Sequence, residues 1–153
     1  MALKGDRHLV IDDISFFMDQ VAERGGVVCF KTSGSGAALD QSAAEVEYAA
    51  DSSGAVPVGL LLNDMVDVDL TKYTLNPYKE EMQKGSKVTL LREGWVVTNM
   101  IPTGVSPSGS QDAYVADSGN ITNVSTTGNP KCGEWMSSKD ADGYAKLYVK
   151  LPQ

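Results

Sequence analysis

Short apolar or alternating runs, each cut off by turn-forming residues, recur along most of this chain. Runs at 55–63, 84–99, 111–122 and 133–151 are punctuated by Gly, by Asp-Ser-Gly or by Asp-Ala-Asp-Gly, the grammar of β-strands joined by tight turns. The stretch 84–99, Lys-Gly-Ser-Lys-Val-Thr-Leu-Leu-Arg-Glu-Gly-Trp-Val-Val-Thr-Asn, predicts two strands joined at a charged Arg-Glu-Gly turn. The terminal run sets Tyr144, Lys146, Tyr148 and Lys150 against Ala145, Leu147, Val149 and Leu151, predicting a last strand with one wet face. Residues 27–31 read as a buried strand, 45–50 as a weakly alternating one, and 56–62 as another with Pro57 near its start or on an edge. At 112–122, Asp-Ala-Tyr-Val-Ala-Asp-Ser-Gly-Asn-Ile-Thr reads as strand, turn, strand. Val66, Val68 and Leu70 alternate with Asp67, Asp69 and Thr71, as in a half-exposed strand or extended connector.

One segment carries a different period. Ile14, Phe17, Met18 and Val21 fall at i, i+3, i+4 and i+7, which predicts a helix over 13–24 with one buried face. Asp12 and Asp13 suit its N-terminus, Arg24 its C-terminus, and Gly25-Gly26 a left-handed exit. Residues 1–12 are then an extended N-terminal arm, and 13–153 a single β-rich domain. A second, short helix is predicted from Asn76-Pro77 to Lys84, with Gly85 just past its end.

A length of 153 residues supports one core, and 42% hydrophobic with 22% charged residues is the balance of an ordinary folded protein. The net charge of -7 argues against broad nucleic-acid or anionic-membrane binding. Charges run through the first dozen residues, where a secretion signal needs an unbroken apolar stretch. No apolar run approaches the roughly 18 residues of a membrane span, so a soluble protein is expected.

Candidate chemistry is sparse. His8 is the sole histidine and sits in the charged arm, which supports neither a catalytic triad nor a zinc site. Cys29 reads as a small strand residue and Cys132 as part of a turn; a disulfide between them stays open. Ser33-Gly-Ser-Gly lacks the Lys-Ser/Thr ending of a phosphate-binding loop and reads as a flexible loop. Asp140-Ala-Asp142-Gly143 resembles part of a calcium loop, but that alignment puts Val149 where a bidentate Glu belongs, so a tight turn is the reading. Asn120-Ile-Thr and Asn123-Val-Ser match the glycosylation tripeptide and read as turn and strand residues without a secretory route. Asp64, Asp67 and Asp69 read as an exposed acidic face. No cofactor, metal or catalytic residue is expected. Trp95 and Trp135 are either core residues or interface anchors.

The ordered set of 54–64 (Gly-Ala-Val-Pro-Val-Gly-Leu-Leu-Leu-Asn-Asp), the 84–99 run, the 112–122 run and 133–149 (Gly-Glu-Trp-Met-Ser-Ser-Lys-Asp-Ala-Asp-Gly-Tyr-Ala-Lys-Leu-Tyr-Val) resembles the head decoration, or capsid cement, proteins of tailed bacteriophages. The resemblance implies a small β-barrel or β-tulip-like domain on the outside of the expanded head, made in the host cytoplasm and commonly trimeric, that stabilises the shell by bridging neighbouring major capsid subunits. It implies no enzymatic activity. The chain departs from the simplest members at the 13–24 segment and in an insertion over 65–84. The arm, through Lys4, Arg7, His8 and Leu9, is expected to reach a capsid subunit or an adjacent protomer, with Trp95 and Trp135 as further candidate contacts. The alternative is a carbohydrate- or receptor-binding β module of a virion tail or surface fibre, favoured if Trp95, Trp135, Tyr114 or Tyr144 lines an exposed groove.

Overall fold

Burial with period two decides where each strand lies. The computed structural model describes residues 3–4, 7–31, 45–62, 67–68, 78–79 and 81–151. They form β1 (His8–Met18), β2 (Ala22–Glu23), β3 (Val27–Phe30), β4 (Glu45–Glu47) and β5 (Pro57–Leu62), then β6 (Asp67–Val68), β7 (Tyr78–Lys79) and β8 (Glu81–Met82). β9 (Lys87–Thr98), β10 (Asp112–Val115), β11 (Ile121–Thr122), β12 (Lys131–Trp135) and β13 (Ala145–Lys150) complete the set. A 3-10 turn, Asp117–Gly119, joins β10 to β11.

The main sheet runs β1-β4-β3-β5-β9, and β9 pairs back onto β1, which closes a five-stranded barrel. Beyond β9 the sheet continues through β13, β12 and β10 to β11. β9 is therefore shared. On one edge its first half takes β5, from Leu60↔Leu91 to Leu62↔Thr89, and its second half takes β13, from Ala145↔Thr98 to Lys150↔Glu93. Its other edge carries β1 along almost its whole length, from His8↔Trp95 to Phe17↔Lys87.

Two cores result. Phe16 and Met18 of β1, Val46 of β4, Val28 of β3, Val58 and Leu61 of β5, and Val88 and Leu90 of β9 pack together. All five barrel strands contribute to this cluster, so it is the barrel interior, and Ala22 and Met82 of the small β2–β8 ribbon join it. The alternate residues of the same wall, Val27, Cys29, Leu60, Leu62 and Leu91, pack outward against Val115, Cys132, Trp135, Leu147 and Val149 of the extension. β3 and β5 read as continuous apolar runs because both of their faces are buried.

Three expectations are corrected. The helix over 13–24 does not form, and the described residues contain no α-helix. Residues 8–18 are strand, with Phe16 and Met18 buried two apart, while Ile14 and Val21 of the helical set are 57% and 53% exposed. The 3.6-residue spacing was fortuitous; Ile and Phe favour a pleated surface when a long partner strand is available. Gly25, at φ 112°, opens the turn between β2 and β3. That turn is gripped by buried side chains: the Tyr48 hydroxyl donates to the Glu23 carbonyl and accepts the Gly26 N–H, and Thr98 Oγ1 donates to the Gly25 carbonyl at 2.9 Å.

The second correction concerns 84–99, which is one twelve-residue strand and no hairpin. Its Arg-Glu-Gly is the place where β9 changes partner, and Gly94 sits there at φ 149° with room for no Cβ, which would lie 2.2 Å from the His8 carbonyl oxygen. Third, the described residues just before Gly85 are not helical: 78–79 and 81–82 are short strands, and Gly85 at φ 84° turns the chain into β9. Asn76 and Pro77, most of the alternating 65–74 run, and the 33–36 loop lie outside the described residues. Of the residues read as an arm, those from His8 on belong to β1, Leu3 bridges to Thr98 and is 2% exposed, and the Lys4 N–H donates to the Val97 carbonyl.

Extension strands approach each other through a row of small residues, since Gly94 pairs with Val149, Val149 with Gly133, and Gly133 with Ala113. A Cβ on Gly133 would lie 2.0 Å from the Tyr148 carbonyl oxygen, whereas one on Gly109 meets nothing closer than 3.5 Å. Gly133→Ala should therefore lose about 3 kcal/mol of stability, and Gly109→Ala should stay within about 0.5 kcal/mol of the parent. Urea denaturation of both variants checks this, and equal effects would contradict the packing described.

Candidate functional site

One row of residues crosses the outer face of the sheet without a break. His8 stands opposite Trp95, Trp95 opposite Tyr148, Tyr148 opposite Glu134, and Glu134 opposite Asp112. The neighbouring row, from Leu9 through Gly94, Val149 and Gly133 to Ala113, faces the core, so period two puts the first row at the surface. His8, Glu134 and Asp112 are exposed, and Trp95 and Tyr148 half-buried.

These side chains are tied to one another. Lys146 Nζ sits 3.7 Å from the centroid of the Trp95 ring, a cation–π contact. The Tyr148 hydroxyl donates to Glu93 Oε1 at 3.0 Å, and this bond to the carboxylate raises the phenol's pKa. Asp112 pairs with Lys131 at 2.8 Å, and that hydrogen bond holds its carboxyl below the usual range. The surface is polar, aromatic and pre-organised.

The expected contact residues separate into three groups. His8 and Trp95 belong to the surface row. Lys4 and Arg7, with Leu3 and Arg24, line a hollow of about 120 Å³; Lys4 is also anchored, 3.0 Å from Asp140 Oδ2 and over the Tyr144 ring. Leu9 packs against the extension core, and Trp135 is fully buried there. Trp135 offers no surface to a partner, and its indole N–H has no acceptor among the described residues, so it fills volume. What sequence reasoning missed is the exposed apolar group on β1, Val10, Ile11 and Ile14 at 55%, 49% and 57%. Ile14 had been placed on a buried helix face, and Val10 and Ile11 were passed over within the arm.

The remaining candidates take plain structural roles. Asp140 Oδ1 accepts the N–H groups of Asp142 and Tyr144 at 3.0 and 2.9 Å, and Gly143 adopts φ 86°. That is the expected turn. Asn120 and Asn123 tie down their own loops, through the Asp117 carbonyl and Gln111 Oε1. Cys29 and Cys132 are buried free thiols, pushed by desolvation up to about 11 and about 12, hence protonated and poor nucleophiles. Asp64 and Asp69 lie outside the described residues, and for Asp67 the backbone pairing of β6 is what is described. No group of three or more metal-ligating side chains occurs among the described residues. A second hollow, of about 240 Å³, lies beside Phe30 and Asp51; both are smaller than the roughly 300 Å³ at which small-molecule sites begin. No helix among the described residues is long and apolar enough to cross a membrane.

The described residues thus form a closed barrel whose wall is extended into a sheet with a cross-linked outer face. The profile of a phage family described as "Structural cement protein (E217 gp24/Pam3 gp6)" matches residues 14–150, from within β1 to the end of β13. The chain belongs to this family of phage structural cement proteins, and is thus a structural, virion-associated phage protein whose association is with the capsid. No curated protein matches it.

Truncating the two indoles should separate core from surface. Trp135→Ala is expected to cost about 3–5 kcal/mol, while Trp95→Ala, which removes a half-exposed ring and an exposed cation–π contact, should cost about 1 kcal/mol, both read by urea denaturation. The Lys4 anchor should be pH-dependent. The carboxyl of Asp140 is held below its ordinary value of 3.8, first by the Tyr144 N–H and then by Lys4. A depressed folded-state pKa gives stability that is present above the ordinary value and lost as pH falls through the depressed one. The stability gap between the parent and Asp140→Asn should therefore be open at pH 7 and shrink below pH 3.8; a gap that widens on acidification would contradict the assignment.

Proposed function

We propose that this protein binds the outer surface of the expanded phage capsid as a homo-oligomer and bridges neighbouring major capsid subunits, with no enzymatic activity. The observation that carries this reading is the family match over residues 14–150, which takes in most of both cores and the surface row from Trp95 to Asp112. The geometry supports it. The side chains of the outer face are already tied by ion pairs and a cation–π contact, and rigid surfaces lose little entropy on docking. Lys4, Arg7, His8 and Trp95 are the proposed contact residues, with Leu9 and Trp135 holding the sheet beneath them.

The mechanism is linkage. A ligand that binds the expanded shell and not its precursor stabilises the expanded state by RT ln(1 + [L]/Kd), about 2.7 kcal/mol per site at a hundredfold excess over Kd. Repeated over many equivalent sites, that term resists internal pressure without any covalent step. A carbohydrate- or receptor-binding module is less well supported, because the Trp95 ring is covered by the Lys146 ammonium and Trp135 is inside.

Co-sedimentation with undecorated expanded heads tests the proposal. Saturable binding with a fixed number of copies per head is expected, and Trp95→Ala should weaken it by about tenfold, the order of a single interface anchor. Heads that bind no protein at any concentration would overturn it.

A further inference from the structure

Three cations meet at one place on a chain whose net charge is -7. Lys4 and Arg7, from the N-terminal residues, and Arg24, from the turn between β2 and β3, line the hollow of about 120 Å³, with Leu3 as its apolar wall. All three cations are half-buried. Both sides of the hollow are fixed by the end of β9: Thr98 bridges to Leu3 through its backbone, and its hydroxyl donates to the carbonyl of Gly25, the neighbour of Arg24. Like charges around a concavity repel one another, the more so where water is partly excluded. Asp140 and Asp142 attract Lys4, and Arg7 and Arg24 each interact elsewhere in the protein. Those interactions do not use up the arginines, since a guanidinium carries five N–H donors in a fixed fork. A water takes about 30 Å³ of liquid, so the hollow has room for a small oxyanion and a little water.

We propose that this hollow is a binding site for a free tetrahedral oxyanion of the inorganic phosphate type, held by the guanidinium groups of Arg7 and Arg24 and the ammonium of Lys4. Guanidinium forks match phosphate oxygens two at a time, and the lysine adds a point charge. A tetrahedral ion suits the site better than a carboxylate, because cations from two chain segments converge on it and a carboxylate has only two oxygens to share among them. The free ion suits it better than a nucleic-acid backbone, because the acidic chain as a whole repels a polyanion. Bound there, the ion ties the N-terminal residues to the β2–β3 turn and relieves the repulsion among the three cations. The site involves no partner chain, so it stands or falls apart from capsid binding.

Isothermal titration of the full-length protein with inorganic phosphate, in chloride buffer of matched ionic strength, tests the proposal. One site per chain is expected, with a Kd on the order of 1 mM. Arg7→Gln and Arg24→Gln should each raise that Kd by about tenfold or more, the loss of one charge-assisted bidentate contact. Lys87→Gln removes an exposed cation at the opposite end of β9 and should leave the Kd within about twofold of the parent. Acetate should bind at least about tenfold more weakly than phosphate, and duplex DNA at equal phosphate concentration should give no heat beyond dilution. Circular dichroism checks the fold of each variant. If Arg24→Gln does not fold, Arg24→Lys replaces it; this change keeps the charge and loses the fork, so the Kd should still rise about threefold. Failure to saturate by about 20 mM phosphate, a Kd unmoved by the arginine variants or moved equally by Lys87→Gln, acetate binding as tightly as phosphate, or a response to DNA would each overturn the proposal.

Discussion

Everything in this structure hangs on the double edge of β9. A strand of twelve residues that pairs with β1 on one side, and with β5 and then β13 on the other, belongs to the barrel and to the extension at once. The residues obey that geometry: four consecutive buried positions, Val88 to Leu91, lie where both faces meet a core, and alternation returns from Trp95 onward, where one face is wet. Val88 and Leu90 enter the barrel interior while Leu91 and Val96 enter the outer core. A hydrogen-bonded strand that crosses between two cores couples them mechanically.

That same coupling explains which features could be seen in the chain and which could not. The strands over 27–30, 57–62, 112–115 and 145–150 were legible because their patterns are local: a β-branched run, a proline at the first residue of a strand, an alternation with one wet face. The sharing of β9 was not legible. Arg-Glu-Gly looks the same whether a chain reverses or only changes neighbours, since both need a glycine beside charged residues, and the choice is made by β5 and β13, some thirty and fifty residues away. β1 was misread for a related reason. Its bulges destroy the period of two, and what remained of Ile14, Phe17, Met18 and Val21 matched a period of 3.6 by accident, until β9 supplied the partner strand.

The contact surface was half visible. Trp95 and Trp135 could not be told apart by type or by local alternation, since both sit in strands of similar composition. The deciding facts are register and layering: Trp95 shares a row with exposed His8 and Glu134, and Trp135 lies two strands away on β12 and on the opposite face, among Cys132, Leu147 and Val115. Lys4 could be named as a contact residue, but its partner Asp140 stands 136 positions away, and no short-range signal joins them.

An exposed apolar group on a strand edge is normally a liability that sequence avoids with charge, bulges or proline. β1 has two of those defences, bulges and flanking charges, and yet keeps Val10, Ile11 and Ile14 in solvent. For a protein that acts singly these three side chains would be cheap to replace with polar ones, because they contribute little to either core. Their retention is explained if the exposed state is not the working state.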